Sequence, residues 1–168
     1  MNKRNIILIG MPGAGKSSVG VILAKVLGYE FIDTDLVIQH REKRLLREII
    51  ADEGNEGFLA IENEVNATLE ADKSVIAPGG SAIYGKEAME HFKEIGIIVY
   101  LKLSYEDLAK RLGNLKGRGV VLKEGQTLKD LYDERSKLYE QYAEITVDES
   151  GRDIQGTILA LREPVSYT

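Results

Sequence analysis

Residues 10–18 read GMPGAGKSS, three glycines, one lysine and two serines set between the apolar run NIILI and the helical pattern VGVILAKVLG. Gly10 to Ser17 matches G-x-x-x-x-G-K-[ST] without a departure, in the strand-to-helix setting that this motif needs. Such glycines let the backbone turn several N–H groups toward one point at a helix N-terminus, which makes a nest for an anion. Gly10, Pro12, Gly13, Ala14, Gly15, Lys16, Ser17 and Ser18 are therefore expected around the phosphates of a nucleotide. Lys16 would reach the β- and γ-phosphates and the Ser17 hydroxyl would ligate Mg²⁺. The chemistry is nucleotide binding with phosphoryl transfer or hydrolysis. The motif does not by itself separate kinases from GTPases or motor ATPases. No N-K-x-D guanine-reading motif is present, and 168 residues leave no room for a motor's second domain, so a small-molecule or nucleoside kinase is expected.

Other residues could serve the receiving side. FIDTD, residues 31–35, closes the second apolar run. Asp33 and Asp35 alternate on that strand and so share one face. One would hold Mg²⁺ through water and the other would accept a hydrogen bond from an acceptor hydroxyl. Asp35 as a simple helix N-cap is the competing assignment. PGGSAIY, residues 78–84, follows the third run, and Gly79 and Gly80 would let backbone approach a ligand closely. Leu128, Leu131, Tyr132, Leu138, Tyr139 and Tyr142 recur at helical spacing, and Arg135 falls inside that stripe. An inward guanidinium calls for a carboxylate or an anionic ligand, unless it snorkels past the tyrosines. Arg111 and Arg118 stand at the end of one helical pattern and in the glycine-rich stretch after it, and an arginine there could neutralise transferring phosphate.

Positioning these groups needs an alternating scaffold. Ile6–Ile9, Tyr29–Ile32, Ser74–Ala77, Ile97–Leu101 and Ile145–Val147 are short, β-branched-rich runs that read as strands. Helical patterns fill the intervals: 16–27, 35–53 in two pieces, 56–69, 86–94, 105–112, 128–142 and 154–161. Strand and helix in alternation predict an α/β three-layer sandwich around a five-stranded parallel sheet, one domain over 1–168. Residues 113–126, GNLKGRGVVLKEGQ, carry four glycines and four charges without periodicity, and are expected to form a mobile lid, about 112–126.

Composition narrows the partners. Hydrophobic residues make up 43% of the chain and charged residues 29%, and the net charge of −5 offers no field for nucleic acid or an anionic membrane. There is no cysteine, so disulfides and thiolate metal sites are excluded. The apolar stretches are too short for a signal peptide or a membrane span. A cytoplasmic protein is expected, working as a monomer or a small oligomer on a small-molecule substrate.

Taken together, GMPGAGKSS, FIDTD, GGSA, RLGNLKGR and ERSKLYEQYA resemble the shikimate kinase family over nearly the whole chain. That resemblance implies a P-loop fold like that of nucleoside monophosphate kinases and transfer of phosphate from ATP, with Mg²⁺, to the 3-hydroxyl of shikimate. It places the acceptor on the helices at about 35–70. It implies Asp33 on the metal, Asp35 on the substrate hydroxyls, backbone at Gly79 and Gly80 toward the substrate, and Arg135 on its carboxylate. Arg111 would lie along the adenine and Arg118 would be the lid arginine, acting with Lys16 and Asp35 in catalysis.

The chain departs from the family pattern in three places. Leu59 stands where an arginine is usual, although Glu62, its usual partner, is kept. Ser81 replaces the third glycine of the turn, and Gly119 follows Arg118 where proline is usual. A hydrogen bond to a charged group contributes roughly 1.5–3 kcal/mol, so losing the arginine should weaken shikimate about ten- to a hundredfold. Arg47 or Arg44, on the preceding helix, are the candidates to compensate. A kinase for another hydroxylated metabolite, or a non-catalytic nucleotide-binding module, are the alternatives.

Overall fold

The computed structural model describes residues 4–113 and 125–166. Five strands, β1 (Asn5–Ile9), β2 (Glu30–Asp33), β3 (Ser74–Ala77), β4 (Gly96–Lys102) and β5 (Ile145–Asp148), form one sheet in the order β2-β3-β1-β4-β5. Every pairing is parallel, with Ile7 beside Ile76 on one flank and Ile98 on the other. The helices are α1 (Lys16–Leu27), α2 (Thr34–Glu42), α3 (Leu46–Ala67), α4 (Lys86–Ile95), α5 (Tyr105–Gly113), α6 (Leu128–Tyr142) and α7 (Ile154–Ser166), with a short 3-10 turn at Ala82–Tyr84.

Period-two alternation in the strands divides the core between two sheet faces. Ile6 and Leu8 pack with Val19, Leu23 and Ala24 of α1 and Ile158 and Leu161 of α7. Ile7 and Ile9 face the opposite way, onto Met89 and Phe92 of α4, Leu108 of α5, and Leu131 and Tyr139 of α6. Helices on both faces of a parallel sheet make the expected three layers. A smaller cluster, Ile38, Ile49, Phe58 and Val65, ties α2 to α3.

Two details bear on the sequence expectation, the first in agreement with it and the second not. The 46–67 helix bends at Gly54, whose φ of 73° and ψ of 176° interrupt it between the two predicted helical segments. The second strand runs one residue later than expected and ends on Asp33, so the chain is already helical at Thr34.

Because β3 inserts between β2 and β1 while β4 lies beyond β1, the chain leaves the centre of the sheet in both directions. In an open parallel sheet the crevice at such a switch point, beyond the strands' carboxyl ends, is where ligands bind. The loops after β1, β2 and β3 open there.

Candidate active site

The loop after β1 is shaped by its glycines. Gly13 and Gly15 hold φ of 92° and 79°, and Gly15 caps α1 with no side chain on the helix end and no acidic residue in the first turn. The helix terminus therefore presents bare N–H groups and its positive dipole end, an arrangement suited to an anion. Lys16 bridges the loop from inside, its Nζ donating to the carbonyls of Gly10 at 2.8 Å and Met11 at 3.0 Å. Burial lowers its pKa to about 8, against the pull of Asp35, Glu149 and Asp33. An ammonium held this way gains its strongest stabilisation when phosphate arrives beside it.

A cleft of about 620 Å³ opens in front of this loop. Pro12, Gly13, Gly15, Lys16, Ser17 and Ser18 form one side of it, Asp33 and Asp35 another, and Ala77 to Ser81 a third. Leu46, Arg47, Ile50, Phe58 and Glu62 of α3 and Arg135 of α6 complete the lining. Gly10 and Ala14 are buried beneath the loop and outside that lining: a Cβ on Gly10 would lie 2.8 Å from the Leu101 carbonyl, and Ala14 donates its N–H to Met11 at 3.1 Å. Arg111 stands outside the cleft and donates from Nη1 to the Gly13 carbonyl at 2.9 Å. Arg118 and the stretch around it lie outside the described residues.

The two aspartates do not share a strand face. Asp33 is the N-cap of α2 and its Oδ1 accepts from the Asp35 N–H at 3.0 Å, while Asp35 sits in the first helical turn. The cap role considered for Asp35 thus belongs to Asp33, because the helix starts directly after the strand at Thr34 and only the residue just outside it can reach forward onto the first free N–H groups. Both side chains still line the cleft. Asp35 Oδ1 is buried without a hydrogen-bond partner, and burial, with Asp33 adding repulsion, pushes its carboxyl up to about 6.

Arg135 is 2% exposed, although it is an arginine. The guanidinium carbon lies 5.5 Å from the Tyr84 ring centroid, Nη1 sits beside Gly80, and Nε has no partner. Tyr139, one turn on, donates to the Gly80 carbonyl at 2.7 Å and so pins the glycine turn against the same helix. A buried arginine with free donors in a cleft is built for an anionic ligand.

Glu62 and Ser81 emerge here as lining residues to which the sequence assigned no contact with a ligand. Glu62 is 1% exposed; its Oε1 accepts from the Ser81 hydroxyl at 2.7 Å and its Oε2 has no partner. Burial pushes this carboxyl up to about 7. The signal that finds it is the one that found Arg135, a charge on an apolar helical stripe, here four residues after Phe58 and three before Val65.

Among the described residues no group of three or more His, Cys, Asp or Glu is gathered to hold a metal. The Ser17 hydroxyl and the Asp33 carboxylate are among the groups that line the cleft beside the phosphate loop. That donor set suits a small, reluctantly dehydrated cation that takes its remaining ligands from phosphate and water, as Mg²⁺ does.

Comparison with known proteins agrees with this geometry. Residues 12–163 match the family described as shikimate kinase. A shikimate kinase of Vibrio cholerae serotype O1 is 36% identical over 167 residues, 96% of each chain. A solved shikimate kinase from Acinetobacter baumannii, in complex with shikimate, superposes with a TM-score of 0.85 at 32% identity and covers 98% of this chain and 93% of its own. The thymidylate kinase of Candida albicans shares the fold alone, with a TM-score of 0.64 at 15% identity over 98% of this chain and 91% of its own. With a phosphate loop, a carboxylate-lined crevice and a buried arginine on one α/β scaffold, and a family match that runs from residue 12 to 163, the chain belongs to the shikimate kinase family.

Proposed function

We propose that this chain transfers the γ-phosphoryl group of ATP to a hydroxyl of shikimate, giving shikimate 3-phosphate and ADP. The carrying observation is that one cleft joins the bare N-terminus of α1 and Lys16 to Asp35, whose Oδ1 has no partner, and to Arg135, whose Nε has none. Gly13, Gly15 and Ser18 receive the phosphates on backbone and side-chain donors. Lys16 exchanges the carbonyls of Gly10 and Met11 for the β- and γ-phosphates. Ser17 and Asp33 hold the magnesium ion that accompanies the nucleotide, and when bound it neutralises phosphate charge.

Asp35 accepts the hydrogen bond of the attacking hydroxyl and aligns it in line with the bond to be broken. As the new O–P bond forms and the bond from the γ-phosphorus to the β,γ-bridging oxygen breaks, the hydroxyl proton passes to Asp35 and ADP leaves. Arg135, with backbone at Gly79 and Gly80, holds the acceptor carboxylate. Arg111 lies along the adenine, and Arg118, outside the described residues, is assigned to neutralising the transferring phosphate.

The same protein works as a cytoplasmic monomer on a small molecule, without nucleic acid or membrane as partner. The net charge of −5 disfavours nucleic acid and an anionic membrane as partners, and no described helix is long and apolar enough to cross a membrane.

A coupled ADP-release assay with ATP, Mg²⁺ and shikimate tests the assignment. Saturable turnover with stoichiometric shikimate 3-phosphate is expected, and a rate no higher than the acceptor-free background rejects shikimate. A different hydroxylated acid is the second reading. It is favoured by Leu59, which packs against the α2–α3 apolar cluster and does not line the cleft; a panel of hydroxylated acids in the same assay separates the two.

A further inference from the structure

Three arginines follow one another at three-residue spacing across the α2–α3 junction, at 41, 44 and 47. Two of them are committed. Arg41 binds Glu64 at 2.7 Å, and Arg44 is held by Glu42 at 3.0 Å, Asp52 at 3.1 Å and Glu53 at 3.5 Å. Arg47 makes no ion pair with any described residue, and it is the one of the three that lines the cleft.

Arg47 is exposed at the rim of the cleft, and nothing on its own helix pairs with it. The residues three and four along its helix are Ile50 and Ala51, and those three and four before it are Arg44 and Lys43, so no carboxylate sits at pairing distance on its own element. Its neighbour Glu48 is turned back onto the Leu45 N–H at 3.1 Å. Arg47 is also in the first turn of α3, where the helix dipole disfavours a cation. Helix stability gives no reason for an arginine there.

The rest of the α3 wall of the cleft is apolar, at Leu46, Ile50 and Phe58, apart from Glu62. Glu62 for its part is taken up by Ser81. A carboxylate has lone pairs for more than one guanidinium, and Arg135 alone is buried beneath it. Resting on the acceptor assignment above, we infer that Arg47 is the second cation for the acceptor's carboxylate, acting with Arg135 and setting the preference for anionic acceptors.

The test uses the full chain with Arg47→Gln and, as a control, Arg41→Gln, each measured with shikimate and with its uncharged methyl ester. Binding to the nucleotide-free protein is read by calorimetry, and turnover by ADP release. Arg47→Gln should weaken shikimate roughly ten- to a hundredfold in Kd and KM while kcat and the ATP KM stay within about twofold. The ester should bind the variant and the unaltered chain alike, Arg41→Gln should match the unaltered chain throughout, and melting temperature should be unchanged or slightly raised. Equal losses for acid and ester, or no loss for either, overturn the assignment of Arg47. If the unaltered chain neither binds nor phosphorylates shikimate, the acceptor reading itself fails, and Arg47's role as a shikimate ligand falls with it.

Discussion

The Ser81 hydroxyl donates to Glu62 Oε1 at 2.7 Å, and the other oxygen of the same carboxyl is buried with no partner at all. Across Gly79 from it lies the free oxygen of Asp35: a methyl group placed on that glycine would come within 3.0 Å of Asp35 Oδ1 and 3.1 Å of Glu62 Oε2. Two carboxyls thus converge on one stretch of backbone, and the folded chain holds them above the ordinary carboxylate range.

This convergence predicts how stability depends on pH. Burial brings Glu62 from 4.5 up to about 7, with Ser81 pulling it back and Asp35 adding to the rise; burial likewise brings Asp35 up to about 6 and Glu149 up to about 7. Between about pH 4 and 7 the folded chain therefore binds more protons than the unfolded chain, so these groups make stability fall as pH rises through that window. Glu62→Gln keeps an acceptor for Ser81 and removes one of the three. The nucleotide-free variant should be more stable than the unaltered chain at pH 8, on the order of 1–3 kcal/mol, and nearly equal to it at pH 4.5. Thermal melts across that range check both ends. A variant that melts lower at pH 8 contradicts the picture.

Gly80 has no space for a side chain. A Cβ there would lie 2.8 Å from Pro12 Cδ and 2.9 Å from Arg135 Nη1, while Tyr139 pins the carbonyl at 2.7 Å so that the turn cannot back away. Gly80→Ala should cost about 1–3 kcal/mol through overpacking and displace the arginine. The expected kinetic signature is an acceptor KM raised about tenfold or more, the same direction as Arg135→Lys, which keeps the charge and loses the planar fork. Initial rates against acceptor concentration, with a melt of each variant, measure this. Gly80→Ala with normal KM would remove the link between the turn and the guanidinium.

Lys16→Met should lose at least about a thousandfold in kcat, the scale of removing a group that stabilises transition-state charge. Its fold should survive, because the ammonium it removes is a buried charge whose pKa is already depressed to about 8. ADP release and a melt of the nucleotide-free variant at pH 7 test the two halves separately. Turnover near that of the unaltered chain is incompatible with Lys16 acting on phosphate.

How much of the structure is legible in the sequence depends on how locally each feature is encoded. The phosphate loop was legible because glycine spacing dictates the backbone path directly. The sheet was legible because Ile6–Ile9 and Ile97–Leu101 can bury both faces only between two layers of helices. Arg135 stood out as a charge inside an apolar stripe. The relation of Asp33 to Asp35 was misread because it turns on a single residue of strand length, and strand ends are set by pairing with a neighbour, here Asp33 beside Ala77. Glu62 is legible as a charge on an apolar helical stripe, but its contact with Ser81, nineteen residues away in sequence, has no local signature. The choice between Arg44 and Arg47 likewise needed three dimensions, since Asp52 and Glu53 reach Arg44 only across the α2–α3 corner.

The break at Gly54 divides the apolar wall of the crevice into two panels. Leu46, Arg47 and Ile50 stand on the near one; Phe58 and Glu62 stand on the far one, anchored through Ser81. Ile49 on the near panel packs with Phe58 and Val65 on the far one, so the crease at Gly54 is locked by the cluster beneath it and the acceptor meets an angled wall of fixed shape.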